Sequence, residues 1–298
     1  MQPTRQTVGV ATSAGSTRRR QAVTVWLVRA AWVGLGASLS TVVDERGAAT
    51  WILAAAWVVG AIAVSVPAVW SLTLARVLVP TAPVAVVVAA VGDSAGHTAA
   101  LIVAAISAGV ATAGVVSADL GAAYVQASAY GAEVRFLLQP PAGFAVAAGM
   151  FWVLWAAAAT VAVTGAATDQ RATGLIAGAV AIGLGALSLP RWHRLSRRWL
   201  VRVPAGVVVH DPLVLTETLM MRHREIAAIG LAPEGTAAAD LTGPAGGTAI
   251  EIITHEAVTV LLADGRSNLR GKAIHARAVL VSPTRPGRTL DVLTSRGS

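Results

Sequence analysis

Residues 171–210 read RATGLIAGAVAIGLGALSLPRWHRLSRRWLVRVPAGVVVH and pass through three environments in forty positions. From 172 to 190 there is no charge at all. About 20 apolar helical residues are what a bilayer core of roughly 30 Å demands. Then Arg191, Arg194, Arg197 and Arg198 alternate with Trp192 and Trp199, a mixture that suits the headgroup layer and could hold anionic lipid there. After Pro204 the run Val207-Val208-Val209 sits between turn formers, the pattern of a strand. A spanning helix, a basic and aromatic boundary, and a β region follow one another.

The apolar pattern recurs upstream. Similar stretches lie at about 22–43, 48–70, 73–91, 98–117 and 141–164, making six with 172–190. Short polar breaks separate them: Asp44-Glu45-Arg46, Ser71 to Arg76, Gly92-Asp93-Ser94, Asp119 to Arg135, and Asp169-Gln170-Arg171. The first stretch is too long, and has too many successors, to be a cleavable signal peptide. In 73–91, Pro80 and Pro83 predict a kinked helix, with a re-entrant segment as the alternative.

Composition agrees. The 298 residues are 55% hydrophobic and 13% charged, against about 25% charged in water-soluble domains. Net charge is +8, with four Arg and no acid in 1–21 and 14 basic against nine acidic residues from 191 onward. Lys and Arg in short loops are retained in the cytoplasm. Six crossings with both ends inside place eleven of the relevant arginines on that side and two outside. The expected organisation is a basic cytoplasmic tail (1–21), a six-helix transmembrane domain (22–190) and a cytoplasmic β-rich domain (191–298). No cysteine is present, which excludes disulfides, thiolate metal sites and a Cys nucleophile.

Beyond Pro204, strands are expected at 205–209, 213–219, 225–231, 248–254, 257–262 and 276–281, then a helix over 284–293. Gly92-Asp93-Ser94-Ala95-Gly96 fits the G-x-S-x-G of a nucleophile elbow, and Asp211-Pro212-Leu213 looks like the acid motif of hormone-sensitive-lipase-like esterases. No histidine precedes residue 92 to build an oxyanion loop, and the expected topology puts Ser94 and Asp211 on opposite sides. A small-residue hairpin is the preferred reading. Arg29 alone lies well inside a span, and no Asp, Glu or His is placed mid-membrane, which argues against ion-coupled transport. A passive channel or transporter lined by Ser65, Ser107, Thr112 or Thr160 stays open. Gly174 and Gly178 form G-x-x-x-G, a helix-packing motif within the bundle or between two copies. Tyr124, Tyr130, Glu133 and Arg135 mark the longest polar break, either a segment that docks on the C-terminal domain or an interfacial helix.

His210, His223, His255 and His275 have no metal-ligand spacing, so neither a metal nor another cofactor is expected. The run Arg266, Arg270, Lys272, Arg277, Arg285 and Arg288 has no interleaved aromatics, so nucleic acid is not an expected partner.

Trp199-Leu200-Val201, Pro204 to Val209 and the stretch Leu213 to Leu219 resemble the opening of bacterial PH-like domains. The ending is similar too: Val279 to Ser282, then Pro283-Thr284-Arg285-Pro286-Gly287 before a last helix. The resemblance covers about 199–295 and implies binding of lipid or protein rather than catalysis. The whole chain, with Tyr130-Gly131-Ala132-Glu133, is similar to integral membrane proteins of high-GC bacteria, which implies an inner-membrane location. The reading is a non-enzymatic membrane anchor or scaffold that presents a binding domain.

Overall fold

A computed structural model of the chain describes residues 5–42, 47–93, 96–168, 170–264 and 268–295. Among them, six helical segments are long and apolar enough to cross a membrane. They are Gly15–Leu39 within α1 (Arg5–Leu39), α2 (Ala48–Ser65), the bent segment Val69–Gly92, α5 (Thr98–Val116), α7 (Ala142–Ala167) and α8 (Arg171–Ser196). Helix begins well inside the stretch 1–21 that the charge pattern sets aside as a tail. At most 28% of any segment's most apolar window is buried within the protein, and Trp26, Trp51, Ile106 and Leu175 point outward. Apolar surface of that extent is the reverse of a water-soluble bundle.

The bent segment consists of α3 (Val69–Leu78), a 3-10 turn (Val79–Thr81) and α4 (Ala82–Gly92). Pro80 and Pro83 lack the N–H groups that would continue the ladder, so the backbone tightens for one turn and resumes. Thr81 Oγ1 donates to Leu78 O at 2.6 Å, and the Trp152 indole donates to Val77 O at 2.9 Å. Because α5 lies beside α3, the turn and α4 in succession, the segment is one kinked rod rather than a loop that doubles back.

The chain forms two compact units: Ser13–Tyr124 with Ala148–Trp192, and Val125–Ala147 with His193–Ser298 and the residues up to Thr12. In the helical unit, α1 and α2 are locked by a reciprocal pair of tryptophans. Trp32 Nε1 donates to Trp57 O, and Trp57 Nε1 donates to Trp32 O, each at 3.0 Å. The rings reach these carbonyls because Gly36 and Gly60 leave room for them. A Cβ at Gly36 would stand 2.4 Å from the Trp57 ring, and one at Gly60 would stand 2.3 Å from the Trp32 ring. In a membrane, where lipid is as apolar as leucine, such close packing and hydrogen bonding hold helices together.

Pro67 ends α2, and the carbonyls left open at its last turn are filled by side chains. Arg29 Nε donates to Val64 O at 3.1 Å and its Nη2 to Ser65 O at 2.8 Å. Tyr124 Oη, on α6 (Ala118–Ala127), donates to Val64 O at 2.8 Å and Ala63 O at 3.2 Å. The arginine that stands alone within a span therefore serves as a helix cap.

In the second unit, two four-stranded sheets enclose one apolar core. The first has the order β1 (Val134–Leu137), β2 (Trp199–Val203), β3 (Gly206–His210), β4 (Leu219–Arg222). The second has the order β5 (Ile226–Leu231), β7 (Ile250–Asp264), β8 (Asn268–Val281), β6 (Ala239–Asp240). Neighbours are antiparallel except β6 and β8. Alternation sends Phe136, Leu200, Val207, Val209 and Met221 inward from the first sheet, against Ile250, Ile252, Val279 and Val281 from the second. Leu293 of α9 (Pro286–Thr294) seals the core, with Leu290 and Val292 packed against it.

Three features depart from expectation. Residues 134–137, read as part of a polar loop, form an edge strand paired to β2 from Val134↔Arg202 to Leu137↔Trp199. The β domain thus begins before the last two apolar helices and is not confined to 191–298. Residues 213–218 form no named strand, because Asp211 O accepts the N–H groups of Val214 and Leu215 and closes a turn after Pro212. The two strands expected at 248–254 and 257–262 are one long strand, β7, whose register shifts between Ile253 and Val258.

Candidate functional site

The link from α8 to β2 carries the residues singled out as a membrane-surface anchor, and they divide into two groups. Arg191, Arg194 and Arg197 are exposed. Trp192 is 8% exposed and packs into the helical unit, its Nε1 donating to Ala148 O at 3.2 Å and its ring edge-on to Trp155 at 6.2 Å. An aromatic expected at the headgroup layer is therefore a helix-packing residue.

Arg198 is still further from a surface anchor, since only 1% of its surface is accessible. Its Nε donates to Asp211 Oδ1 and Oδ2 at 2.8 and 2.9 Å, and its Nη2 reaches Oδ2 at 2.6 Å. Nη2 also donates to Thr242 O at 3.1 Å, and Nη1 to Gln139 O. One planar guanidinium thus ties together four segments: the residues after β1, the start of β2, the end of β3 and the stretch after β6. A buried fork of this kind is stable only because nearly every donor has an acceptor. Asp211 cannot also orient a histidine for an esterase, since its carboxylate is taken by Arg198 and by the Leu213 N–H at 3.1 Å.

Beside this pair, on the first sheet, lies a basic and aromatic surface. Trp199 stacks on His210 with ring centroids 4.9 Å apart and planes 21° apart, a cross-strand pair of β2 and β3. The Arg135 guanidinium stands 5.4 Å from the Trp199 ring centroid and is held there by Glu133 at 2.9 Å. That hydrogen bond from Arg135 keeps the Glu133 carboxyl below its usual range. His210 Nδ1 lies 3.1 Å from Thr218 Oγ1, and its buried Nε2 has no partner among the described residues. Burial lowers the His210 pKa, Arg197 and Arg135 lower it further, and Asp211 opposes them. The imidazole is held neutral while arginines supply the positive charge.

The other residues expected to matter have definite places. Tyr124 is fully buried, and burial raises its phenol against the influence of Arg29, which preserves it as a donor. Tyr130 is 80% exposed. The docking of the polar segment is carried by β1 and by Gln126, whose Oε1 accepts from Arg135 N at 2.9 Å and whose Nε2 donates to Glu133 O at 3.0 Å. Gly174 packs on Gly165 of α7, where an added Cβ would stand 3.0 Å from backbone, and Gly178 faces Ala162. The G-x-x-x-G motif thus joins α8 to α7 within one chain.

Among the hydroxyls proposed to line a polar path, Thr160 spends its donor on Ala156 O at 2.8 Å. Thr112 Oγ1 is buried without a partner among the described residues. Ser94 lies outside the described residues, as do Asp44-Glu45-Arg46, Asp169 and Arg266. Beside Ser94, Asp93 accepts from His97 N at 2.6 Å and pairs with His97 Nδ1 at 2.9 Å, an arrangement that orders the start of α5. No family model, no curated protein and no solved structure matches the chain.

Proposed function

We propose that this chain is a non-enzymatic scaffold of a bacterial inner membrane, with both termini in the cytoplasm and a PH-like sheet domain that binds anionic lipid headgroups. One observation carries the reading. Arg194 and Arg197 are exposed where the chain passes from the last apolar helix into the first sheet, and Arg197 acts electrostatically on His210 of the Arg135–Trp199–His210 stack. Exposed guanidiniums match phosphate, and the aromatic stack gives them a rigid apolar floor of the kind favoured at membrane surfaces. The eight-stranded, helix-sealed architecture supports the PH-like comparison at the level of fold class, and ligand does not follow from fold.

The test uses the full chain reconstituted in nanodiscs of phosphatidylcholine alone or with phosphatidylglycerol. Lipids retained after gentle delipidation are then weighed by native mass spectrometry. Retention of the anionic lipid, lost in Arg194→Gln/Arg197→Gln, supports the reading. Equal retention of both lipids by both proteins overturns it.

A further inference from the structure

We infer that the groove between α1 and α2 holds one acyl chain of a membrane phospholipid. This site, which rests on the membrane placement proposed above, is separate from Arg194 and Arg197.

The groove has a volume of about 490 Å³. α1 lines it with Val33, Ala37 and Ser40, and α2 with Thr50, Ala54 and Trp57. Each set is spaced i, i+4, i+7, so each is one stripe of its helix and covers about 10 Å of the axis. At one end stands Trp57, whose indole N–H is spent on Trp32 O, so its ring offers the groove no free polar atom. At the other end are the hydroxyl-bearing Ser40 and Thr50, one just past the last residue of α1 and the other in the first turn of α2. Between these ends the lining side chains are apolar. Val33, Ala37 and Ala54 are exposed, so no other described residue fills the gap.

The direction of that polarity selects the occupant. A void here would forfeit dispersion contacts along both walls, and water finds too few partners among apolar side chains. A helix from another chain would gain fewer than two turns of contact over about 10 Å. A phospholipid chain suits both ends. α1 ends at Leu39 and α2 begins at Ala48, so Ser40 and Thr50 fall at headgroup level and Trp57 lies about 10 Å deeper in the bilayer. The ester end then sits beside the hydroxyls, and the hydrocarbon runs down to the tryptophan ring. The reciprocal bonds of Trp32 and Trp57 fix the two walls at that deep end, so the cleft is formed before the lipid enters.

The test uses the full chain in nanodiscs of phosphatidylcholine, whose headgroup carries no net charge. A phosphatidylcholine with a diazirine at its chain end should label Val33 and Trp57 on illumination. One with the diazirine beside the ester should label Ser40 and Thr50 instead. After gentle delipidation, native mass spectrometry should find one phosphatidylcholine on the native chain and equally on Arg194→Gln/Arg197→Gln. Ala37→Phe/Ala54→Phe fills the groove and should cut that retention at least about tenfold, the equivalent of two methylenes withdrawn from contact. Ala113→Phe, at an exposed position of α5, should not. A chain left outside the nanodisc overturns both this inference and the membrane reading, whereas an inserted chain that retains no phosphatidylcholine overturns this inference alone. So do labels spread evenly round α1 and α2, or a filled groove that keeps the lipid as well as the native one.

Discussion

Replacing Arg198 by methionine keeps most of the side-chain volume and removes every donor from the centre of the sheet unit. Asp211 would keep only the Leu213 N–H, while the carbonyls of Gln139 and Thr242 would be left buried without their guanidinium partner. Both side chains of the ion pair are essentially inaccessible, at 1% and 0%, so solvent cannot screen the loss. Breaking such a pair from one side costs about 3–5 kcal/mol. That is a large part of the roughly 5–15 kcal/mol that holds a domain together. Since about 1.4 kcal/mol is a factor of ten, opening of the sheets should become two to four orders of magnitude more frequent. The assay is amide hydrogen exchange on the full chain in detergent, followed in peptides that cover β2 and β3. The double variant Arg198→Met/Asp211→Asn removes the stranded charge as well and should exchange at least tenfold more slowly than Arg198→Met. Native-like exchange in Arg198→Met, or a double variant that opens more readily than the single one, would refute the reasoning.

Three further outcomes follow from other parts of the molecule. His210 has its pKa lowered in the fold, so between that lowered value and the ordinary 6.5 the unfolded chain binds the proton more readily, and stability falls as the pH drops through that window. The protection of β2 and β3, taken as the intrinsic exchange rate at each pH divided by the observed one, should therefore fall as the pH drops below the ordinary 6.5, and His210→Gln should flatten the trend; an unchanged slope would count against it. Gly60→Ala drives a methyl into the Trp32 ring and should lower stability by about 1–3 kcal/mol, whereas Gly109→Ala, inside α5 with nothing within 4 Å, should hold or raise the melting temperature in detergent. Tyr124→Phe deletes two buried hydrogen bonds to the end of α2 while Arg29 still caps Val64 and Ser65, so a loss of about 0.5–1.5 kcal/mol is expected in the same melting assay.

The helical unit was readable because bilayer thickness imposes a length and apolarity that local sequence reports directly. Pro80 and Pro83 even marked the site of the 3-10 turn. The sheet unit was less open to inspection. Val134–Leu137 is too short to signal a strand, and its partner lies beyond two intervening helices, so nothing nearby announces the pairing. Leu213 to Leu219 has strand composition, yet hydrogen bonds to Asp211 O bend its start into a turn. The sequence does not single out Arg198 for a related reason: four arginines in eight residues look alike until the fold brings a carboxylate to one of them. Asp211 looks like a catalytic acid in the sequence, and the signal that matches it to Arg198 is its place directly after the strand Gly206–His210, which pairs with the strand that Arg198 precedes. The role of Arg29 as a cap was hidden because its acceptors are backbone carbonyls, which composition never reveals.

The pairing of β1 with β2 has a consequence for biogenesis. β1 leaves the ribosome first, and its hydrogen-bonding partner exists only after α7 and α8 have been made, a wait of several seconds at about 5–20 residues per second. During that interval the four residues of β1 have no partner strand. Completion of the first sheet therefore waits on the synthesis of α7 and α8, because Trp199 can pair with Leu137 only once both helices have been made. A truncated C-terminal fragment beginning at residue 191 would lack that strand and expose β2 as a raw edge, so it should aggregate where the intact polypeptide does not.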